Sequence, residues 1–143
     1  MRRAQCSSPS RTWFILLSLS EGPAPPFYSV PTEDELFHHY RRVGEAISIP
    51  IMVYNNPSTA NVDLQPALVR RLAEIDAVRS IKESTLDVTR VRDIVELCGE
   101  RIDVFAGVLG YESFWLGAVG WVAVCSNLVP RDSARLFELA VDA

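Results

Sequence analysis

The sequence predicts an α/β fold built from repeated β/α units, and two observations support this prediction. Helical patterns alternate with short apolar runs along the chain from Pro25 onward. The runs are continuously apolar, as is typical of parallel strands that helices cover on both faces. Either an open doubly wound sheet or part of a (β/α)₈ barrel fits this pattern. Because the chain has neither a GxGxxG nor a GxxxxGK[ST] motif, the nucleotide-binding α/β folds lose support.

The first clear helix is predicted to begin after Thr32 and to end near Ser48. Thr32 is followed three residues later by Glu35, which is the pattern of a capping box. The apolar residues of this helix recur at helical spacing: Leu36, Phe37, Tyr40, Val43 and Ile47. Pro50 stops the helix, and residues 51–54 then form a short apolar strand.

The next two units follow the same order. Residues 55–58 are predicted to form a turn, and Asp63 is predicted to cap a helix over residues 64–75. A strand that ends in Lys82 comes next. Asp87 is then predicted to cap a helix that Gly99 closes after Cys98.

The last units are a strand over residues 102–106, a short helix over 111–116, a strand over 119–124 and a terminal helix over 130–141. In both candidate folds the chemistry belongs at the carboxyl ends of the parallel strands. Tyr54 and Lys82 lie at two such ends, on consecutive strands. Glu83 and Asp87 beside Lys82 are interpreted as a loop carboxylate and a helix N-cap.

The chain divides into an atypical segment, residues 1–21, and one domain, residues 22–143. The segment has a basic, Ser-rich start followed by an apolar run over residues 12–19, which is the outline of a signal peptide. The run is shorter than the roughly 20 residues of a membrane span, and no clear cleavage site follows it. We expect a non-native start or a makeshift strand rather than a functional signal or membrane anchor.

Composition narrows the function classes. A net charge of −4 and scattered arginines give no reason to expect nucleic-acid binding. Three cysteines without CxxC spacing indicate reduced thiols in a cytoplasmic protein, not a zinc site. Lys82 is the only lysine, against thirteen arginines. Arginine stays protonated, whereas a lysine amine that is desolvated in an apolar pocket can condense with a carbonyl to form a Schiff base.

Four motifs, in this order, resemble the dihydrodipicolinate synthase / N-acetylneuraminate lyase family. They are PFYS at 26–29, YNNPS at 54–58, IKES at 81–84 and LGAVGW at 116–121. The resemblance covers about residues 22–143. It implies a (β/α)₈ TIM barrel, of which this chain holds about the last four to five β/α units, and a class I aldolase mechanism that uses neither a metal nor a cofactor.

The resemblance also implies roles for single residues. Lys82 is the nucleophile that forms a Schiff base with pyruvate or a related 2-oxo acid, for carbon–carbon bond formation with an aldehyde or the reverse cleavage. Tyr54 is the phenol that shuttles protons and orients the carbonyl. Tyr28 matches a tyrosine that, in the synthase branch, reaches into the neighbouring subunit's site. Val122 matches a position whose backbone contacts the keto acid.

Thr59 is a departure from the synthase pattern. The synthases have Arg-Thr-Gly after their YN-x-P motif, and that Arg binds a substrate carboxylate. This chain has Thr-Ala-Asn at 59–61. Because a neutral Thr cannot replace a bidentate guanidinium, the substrate is expected to be another aldehyde or a sugar acid.

Length is the second departure. A (β/α)₈ barrel takes about 200 residues or more, and the family's G-T-T-G-E segment, which holds the keto-acid carboxylate, is absent from these 143 residues. The chain is therefore interpreted as a truncated member. Since part of a barrel leaves open sheet edges, we expect a homo-oligomer. The alternative to an active lyase is an inactive fragment that acts only as a structural or assembly piece.

Overall fold

The fold is a parallel β-sheet with helices packed against it, seen in a computed structural model that describes residues 15–17 and 30–142. Five strands lie side by side in chain order, and each pair of neighbours is parallel. The strands are β1 (Ile15–Leu17), β2 (Ile51–Asn55), β3 (Val78–Glu83), β4 (Asp103–Ala106) and β5 (Gly120–Trp121). A doubly wound sheet reverses its strand order at a switch point, whereas a barrel keeps it. The sheet therefore has the topology of a barrel segment.

Six α-helices connect and follow the strands within the described residues. They are α1 (Glu33–Ala46), α2 (Pro57–Ala60), α3 (Pro66–Leu72), α4 (Thr89–Cys98), α5 (Gly110–Trp115) and α6 (Pro130–Val141). The predicted capping box is confirmed: Glu35 N–H donates to the Thr32 hydroxyl, and Thr32 N–H donates to the Glu35 carboxylate. The predicted bounds of the terminal helix are also confirmed.

Three local predictions were wrong. Helix α3 is shorter than predicted and begins after Gln65, because the side chain of Asp63 is bound to Arg90 and does not cap the helix. Residues 55–58 are not a simple turn, since Asn55 ends β2 and α2 follows. The last predicted strand, over residues 119–124, contains only two strand residues, and a 3₁₀ turn over Cys125–Asn127 follows it.

The hydrophobic core lies between the sheet and helices α1, α3 and α4. Leu72 of α3 and Ile94 of α4 have no exposed surface, and Ile81 of β3 faces them from the sheet, also fully buried. Because each helix buries one apolar stripe against the same sheet face, the core fixes the strands in register. That register determines which side chains meet at the carboxyl edge.

Strand β1 comes from the apolar run at 12–19, so a strand does form there. Residues 15–17 pair with residues 51–53 of β2. The other residues of the run lie outside the described part of the chain. Among the helices that the structure describes, none combines the length and apolar character needed to cross a bilayer.

Candidate active site

Tyr54 and Lys82 meet at the carboxyl edge of the sheet. They are register partners on the neighbouring strands β2 and β3, so their side chains leave the sheet on the same face. Lys82 Nζ lies over the Tyr54 ring, 4.0 Å from its centroid. Lys82 is 8% exposed, and no carboxylate in the described residues forms an ion pair with it. The predicted nucleophile and the predicted proton relay are therefore in contact.

An aromatic residue on the next strand is the neighbour of Lys82 in the sheet. Phe105 of β4 is the register partner of Lys82, and Gly120 of β5 is the register partner of Phe105. A Cβ at Gly120 would lie 2.5 Å from the Phe105 ring. Only glycine at position 120 leaves space for the Phe105 ring, which therefore packs against the β5 backbone.

The Tyr54 hydroxyl is held by a short chain of hydrogen bonds. The side-chain amide of Asn56 donates to the Tyr54 oxygen at 3.0 Å. The Asn56 carbonyl accepts a hydrogen bond from the Ser58 hydroxyl at 2.7 Å. Because the phenol oxygen accepts this bond, its own proton stays available for a substrate atom. These hydrogen bonds can thus orient the Tyr54 phenol so that its O–H donates to a bound substrate.

A polar cluster lies on the opposite, helix-covered face of the same strand ends. This strand-end cluster consists of Asn55, Glu83, Asp63 and Arg90. Asn55 Nδ2 donates to Glu83 Oε2 at 2.9 Å, and Arg90 donates to both Asp63 oxygens at 3.0 and 2.6 Å. Asn55 Oδ1 accepts the Leu64 N–H at 3.0 Å. The cluster joins β2, β3, the segment before α3, and α4.

The two carboxylates of the cluster are shifted in opposite directions. Burial raises the pKa of Glu83, and hydrogen bonds from Asn55 and Thr85 oppose this only in part. The Arg90 guanidinium lowers the pKa of Asp63 through its hydrogen bonds. The pKa values differ first because Glu83 is the more deeply buried of the two, and second because Asp63 has a charged donor whereas the hydrogen-bond donors to Glu83 are neutral.

The interpretation of Glu83 as a loop carboxylate was wrong. Glu83 is the last residue of β3 and is 5% exposed. Asp87 is not the N-cap residue of α4, which is Val88, but its carboxylate accepts the N–H of Thr89, the first residue of α4. The roles of Asn55 and Arg90 were not predicted from the sequence. A signal was present for Asn55 and Glu83, since each directly follows a site residue and so lies on the opposite face of its strand.

Within the described residues, the other predicted site residues make no recorded contact with Lys82. Thr59 lies exposed on α2, after the carboxyl end of β2. Val122 follows β5 at the same edge, and its N–H donates to the Ala106 carbonyl at 2.9 Å. Tyr28 lies outside the described residues. In the described part of the chain, no group of three or more His, Cys, Asp or Glu side chains could hold a metal ion.

Replacing Asp63 with asparagine is expected to lower the free energy of unfolding at pH 7 by about 1.5–3 kcal/mol. Because the pKa of Asp63 is lowered in the folded state, its contribution is present above the unfolded value of about 4 and is lost as the pH falls through the folded value. Denaturant unfolding between pH 3 and 7 measures how the free energy of unfolding falls with pH. In D63N, the part of this fall that comes from protonation of Asp63 should be absent.

Asp34→Asn is the matched control for this prediction. Asp34 contacts Arg71 at 2.6 Å, the same distance as the closest Asp63–Arg90 contact, but its side chain is 72% exposed against 31% for Asp63. An exposed pair contributes about 0–1 kcal/mol. If D34N and D63N lowered the free energy of unfolding equally at pH 7, the cluster would have no stabilising role beyond that of an exposed ion pair.

Consecutive parallel strands in chain order, with a buried lysine at the carboxyl end of one of them, define a protein of the β/α-barrel class. The sequence model that describes the dihydrodipicolinate synthetase family matches residues 23–142 of this chain. A 4-hydroxy-tetrahydrodipicolinate synthase from Pelobacter propionicus is 36% identical over 115 residues, covering 79% of this chain and 40% of the relative. The chain belongs to the dihydrodipicolinate synthetase family.

Solved structures agree with this assignment. The dihydrodipicolinate synthase from Aquifex aeolicus has a TM-score of 0.78 at 30% identity, covering 90% of this chain and 42% of that one. The chloride-inhibited enzyme from Acinetobacter baumannii, solved as a complex with pyruvate, has a TM-score of 0.79 at 29% identity, covering 90% and 42%. The predicted fold class, a partial (β/α)₈ barrel, is confirmed. The chain spans about 40% of the length of the relatives it matches.

Proposed function

We propose that this chain is a Schiff-base lyase in which Lys82 captures pyruvate or a related 2-oxo acid. The observation that carries the proposal is the contact between Lys82 Nζ and the Tyr54 ring at the carboxyl edge of parallel strands. The lone lysine is buried there without a carboxylate partner in the described residues. This is the edge at which β/α barrels carry out their chemistry.

The proposed chemistry has three steps. The neutral Lys82 amine attacks C2 of the 2-oxo acid, and loss of water gives an iminium. Loss of a proton from C3 gives an enamine, which adds to the carbonyl carbon of an aldehyde to form a carbon–carbon bond; the reverse sequence cleaves it. Tyr54, whose oxygen already accepts the Asn56 amide proton, donates a proton to the departing hydroxyl and orients the carbonyl.

The substrate side of the site is proposed in outline. Thr59, exposed after β2, is proposed to lie beside the aldehyde, and the backbone at Val122, after β5, is proposed to contact the keto acid. A threonine at position 59 supplies a neutral hydroxyl, which favours an aldehyde or sugar acid that needs no guanidinium clamp there. Tyr28 is proposed to act in a neighbouring subunit's site.

The assembly and location are part of the same proposal. Within the described residues, strands β1 and β5 form the two edges of the sheet, and sheet edges favour pairing with another chain, so a homo-oligomer is proposed. The cysteine pattern favours a cytoplasmic location. The second candidate function, an inactive fragment that serves only as an assembly piece, is favoured by one fact: the chain spans about 40% of its relatives.

Trapping with pyruvate and cyanoborohydride tests the proposal. The reductant converts the iminium to a stable secondary amine, and because Lys82 is the only lysine, peptide mass spectrometry separates its adduct from one at the α-amine. We expect one adduct on Lys82. A folded, cooperatively melting chain that gains none, while a full-length relative is labelled in parallel, would support the inactive fragment instead.

A further inference from the structure

The hydrogen bond between Asn55 and Glu83 lies one residue beyond the Tyr54–Lys82 pair. Asn55 and Glu83 are register partners, directly after the register partners Tyr54 and Lys82. Their side chains meet at 2.9 Å on the opposite face of the sheet. The backbone adds one more bond at this point, from Ser84 N–H to the Asn55 carbonyl at 3.0 Å. Both strands end here, so this bond is the last side-chain link between them within the described residues.

We propose that Asn55 and Glu83 are positioning residues that set the distance between the Tyr54 phenol and the Lys82 amine. The inference rests on the proposed Schiff-base function and deepens it, since neither residue faces the substrate side. A hydrogen bond constrains both distance and direction, whereas an apolar contact would let the strand ends slide.

The cluster also anchors the bond from outside the two strands. Glu83 Oε1 accepts the Thr85 N–H at 2.8 Å, so both carboxylate oxygens are used. The side-chain oxygen of Asn55 accepts the Leu64 N–H, and its side-chain Nδ2 donates to Glu83. Asp63 Oδ1 lies 3.3 Å from the same Nδ2. Donors and acceptors therefore match in only one arrangement, which leaves the strand ends little freedom.

Burial argues for a role beyond stability. Asn55 is 1% exposed and Glu83 is 5% exposed. A well-packed apolar pair of similar volume would contribute at least as much to the free energy of unfolding, because burying a carboxylate is costly. What the polar pair adds is a defined geometry at the end of the strands, where the amine and the phenol must align.

Glu83→Gln tests this with minimal change in size. The new amide N–H₂ must face either the Asn55 amide or the Thr85 N–H, both of which are donors, so one bond is lost. Adding Asn55→Asp restores the pattern with reversed polarity. The new carboxylate at position 55 accepts from Leu64 N–H and from the amide at position 83, whose carbonyl accepts from Thr85 N–H. Asp63 then faces this carboxylate, with Arg90 close by.

Two readouts are compared in the wild type, in E83Q and in N55D/E83Q. The first is the rate of pyruvate capture at saturating pyruvate, which we expect to fall about 10- to 100-fold in E83Q and to recover at least in part in the double variant. The second is the ¹³C NMR resonance of Lys82 after reductive methylation. The Tyr54 ring, 4.0 Å from Nζ, should shift this resonance in the wild type and in the double variant but not in E83Q.

Ile94→Val is the control for a general loss of stability. Ile94 is fully buried in α4 and belongs to the core, not to the cluster. The variant should lower the melting temperature and leave both readouts unchanged. Wild-type values of both readouts in folded E83Q would overturn the proposal. A folded N55D/E83Q chain that lacks the ring-induced shift would overturn it as well. This second result decides the question if E83Q does not fold.

The two proposals fail separately in this design. If the wild type captures no pyruvate, the Schiff-base function fails, and the NMR shift alone decides whether Asn55 and Glu83 set the Tyr54–Lys82 geometry. If the wild type captures pyruvate and E83Q does so at the same rate with the same shift, the function stands and the positioning role is wrong.

Discussion

Lys82→Arg is expected to abolish the pyruvate adduct at position 82 completely. A guanidinium stays protonated at any pH at which the protein is folded, so it cannot attack a carbonyl carbon. The side chain keeps its positive charge and most of its length, and its planar head can still lie against the Tyr54 ring. Loss of the adduct would therefore report the chemistry of the amine. Mass spectrometry after cyanoborohydride trapping measures the result.

The double variant R79K/K82R is the matched control for the position of the amine. Arg79 lies three residues earlier on the same strand, β3, and is exposed. The variant has the same numbers of lysines and arginines as the wild type, with its lysine outside the site. We expect no adduct above the level of the α-amine. An adduct at position 79 as abundant as that at Lys82 in the wild type would mean that any accessible lysine reacts, and the assignment of the site would be wrong.

The position of Lys82 was predictable because the relevant signals are local. An apolar run predicts a buried strand, and the helical patterns on either side mark where it begins and ends. Parallel strands share one carboxyl edge, so Tyr54 and Lys82 had to lie at the same edge once both were assigned to strand ends. Period-two alternation then permitted contact between them. The observed register, Tyr54 opposite Lys82, agrees with this expectation.

The strand-end cluster was not predictable in the same way, because its partners are distant in sequence. Asn55 and Glu83 are 28 residues apart, and Asp63 and Arg90 are 27 residues apart. Nothing local distinguishes Asp63 from a helix cap, and only the packing of α4 beside α3 brings Arg90 to it. A register shift between Ile51 and Met52 also changes the alternation along β2 and β3, which no single-strand pattern reveals.

The short β5 strand has a similar explanation. The apolar run at 119–124 predicts a strand, yet only Gly120 and Trp121 have strand geometry. The N–H groups of Val119 and Val122 still bond to β4, at the Val104 and Ala106 carbonyls. The backbone then turns into the 3₁₀ segment Cys125–Asn127. An apolar run alone does not show where the regular hydrogen bonding between two neighbouring strands ends.

Tyr54→Phe is expected to slow pyruvate capture by about 100-fold, within the 10²–10⁴ range for loss of a positioned acid–base group. The ring and its contact with Lys82 remain, so the ring-induced shift of the methylated lysine should persist. This separates Y54F, which lacks the proton donor, from E83Q, which is expected to lose the geometry. The loss of the Asn56–Tyr54 hydrogen bond should lower the free energy of unfolding by only about 1 kcal/mol.

Tyr111→Phe is the control, because it removes a tyrosine hydroxyl from α5, where Tyr111 is 56% exposed. Its capture rate should equal that of the wild type. Rates are measured at saturating pyruvate across pH 6 to 9, so that a change in binding is not mistaken for a change in proton transfer. If Y54F captured pyruvate within twofold of the wild-type rate across this range, the phenol would have no part in proton transfer, and Tyr54 would serve only as the aromatic surface against which the Lys82 amine packs.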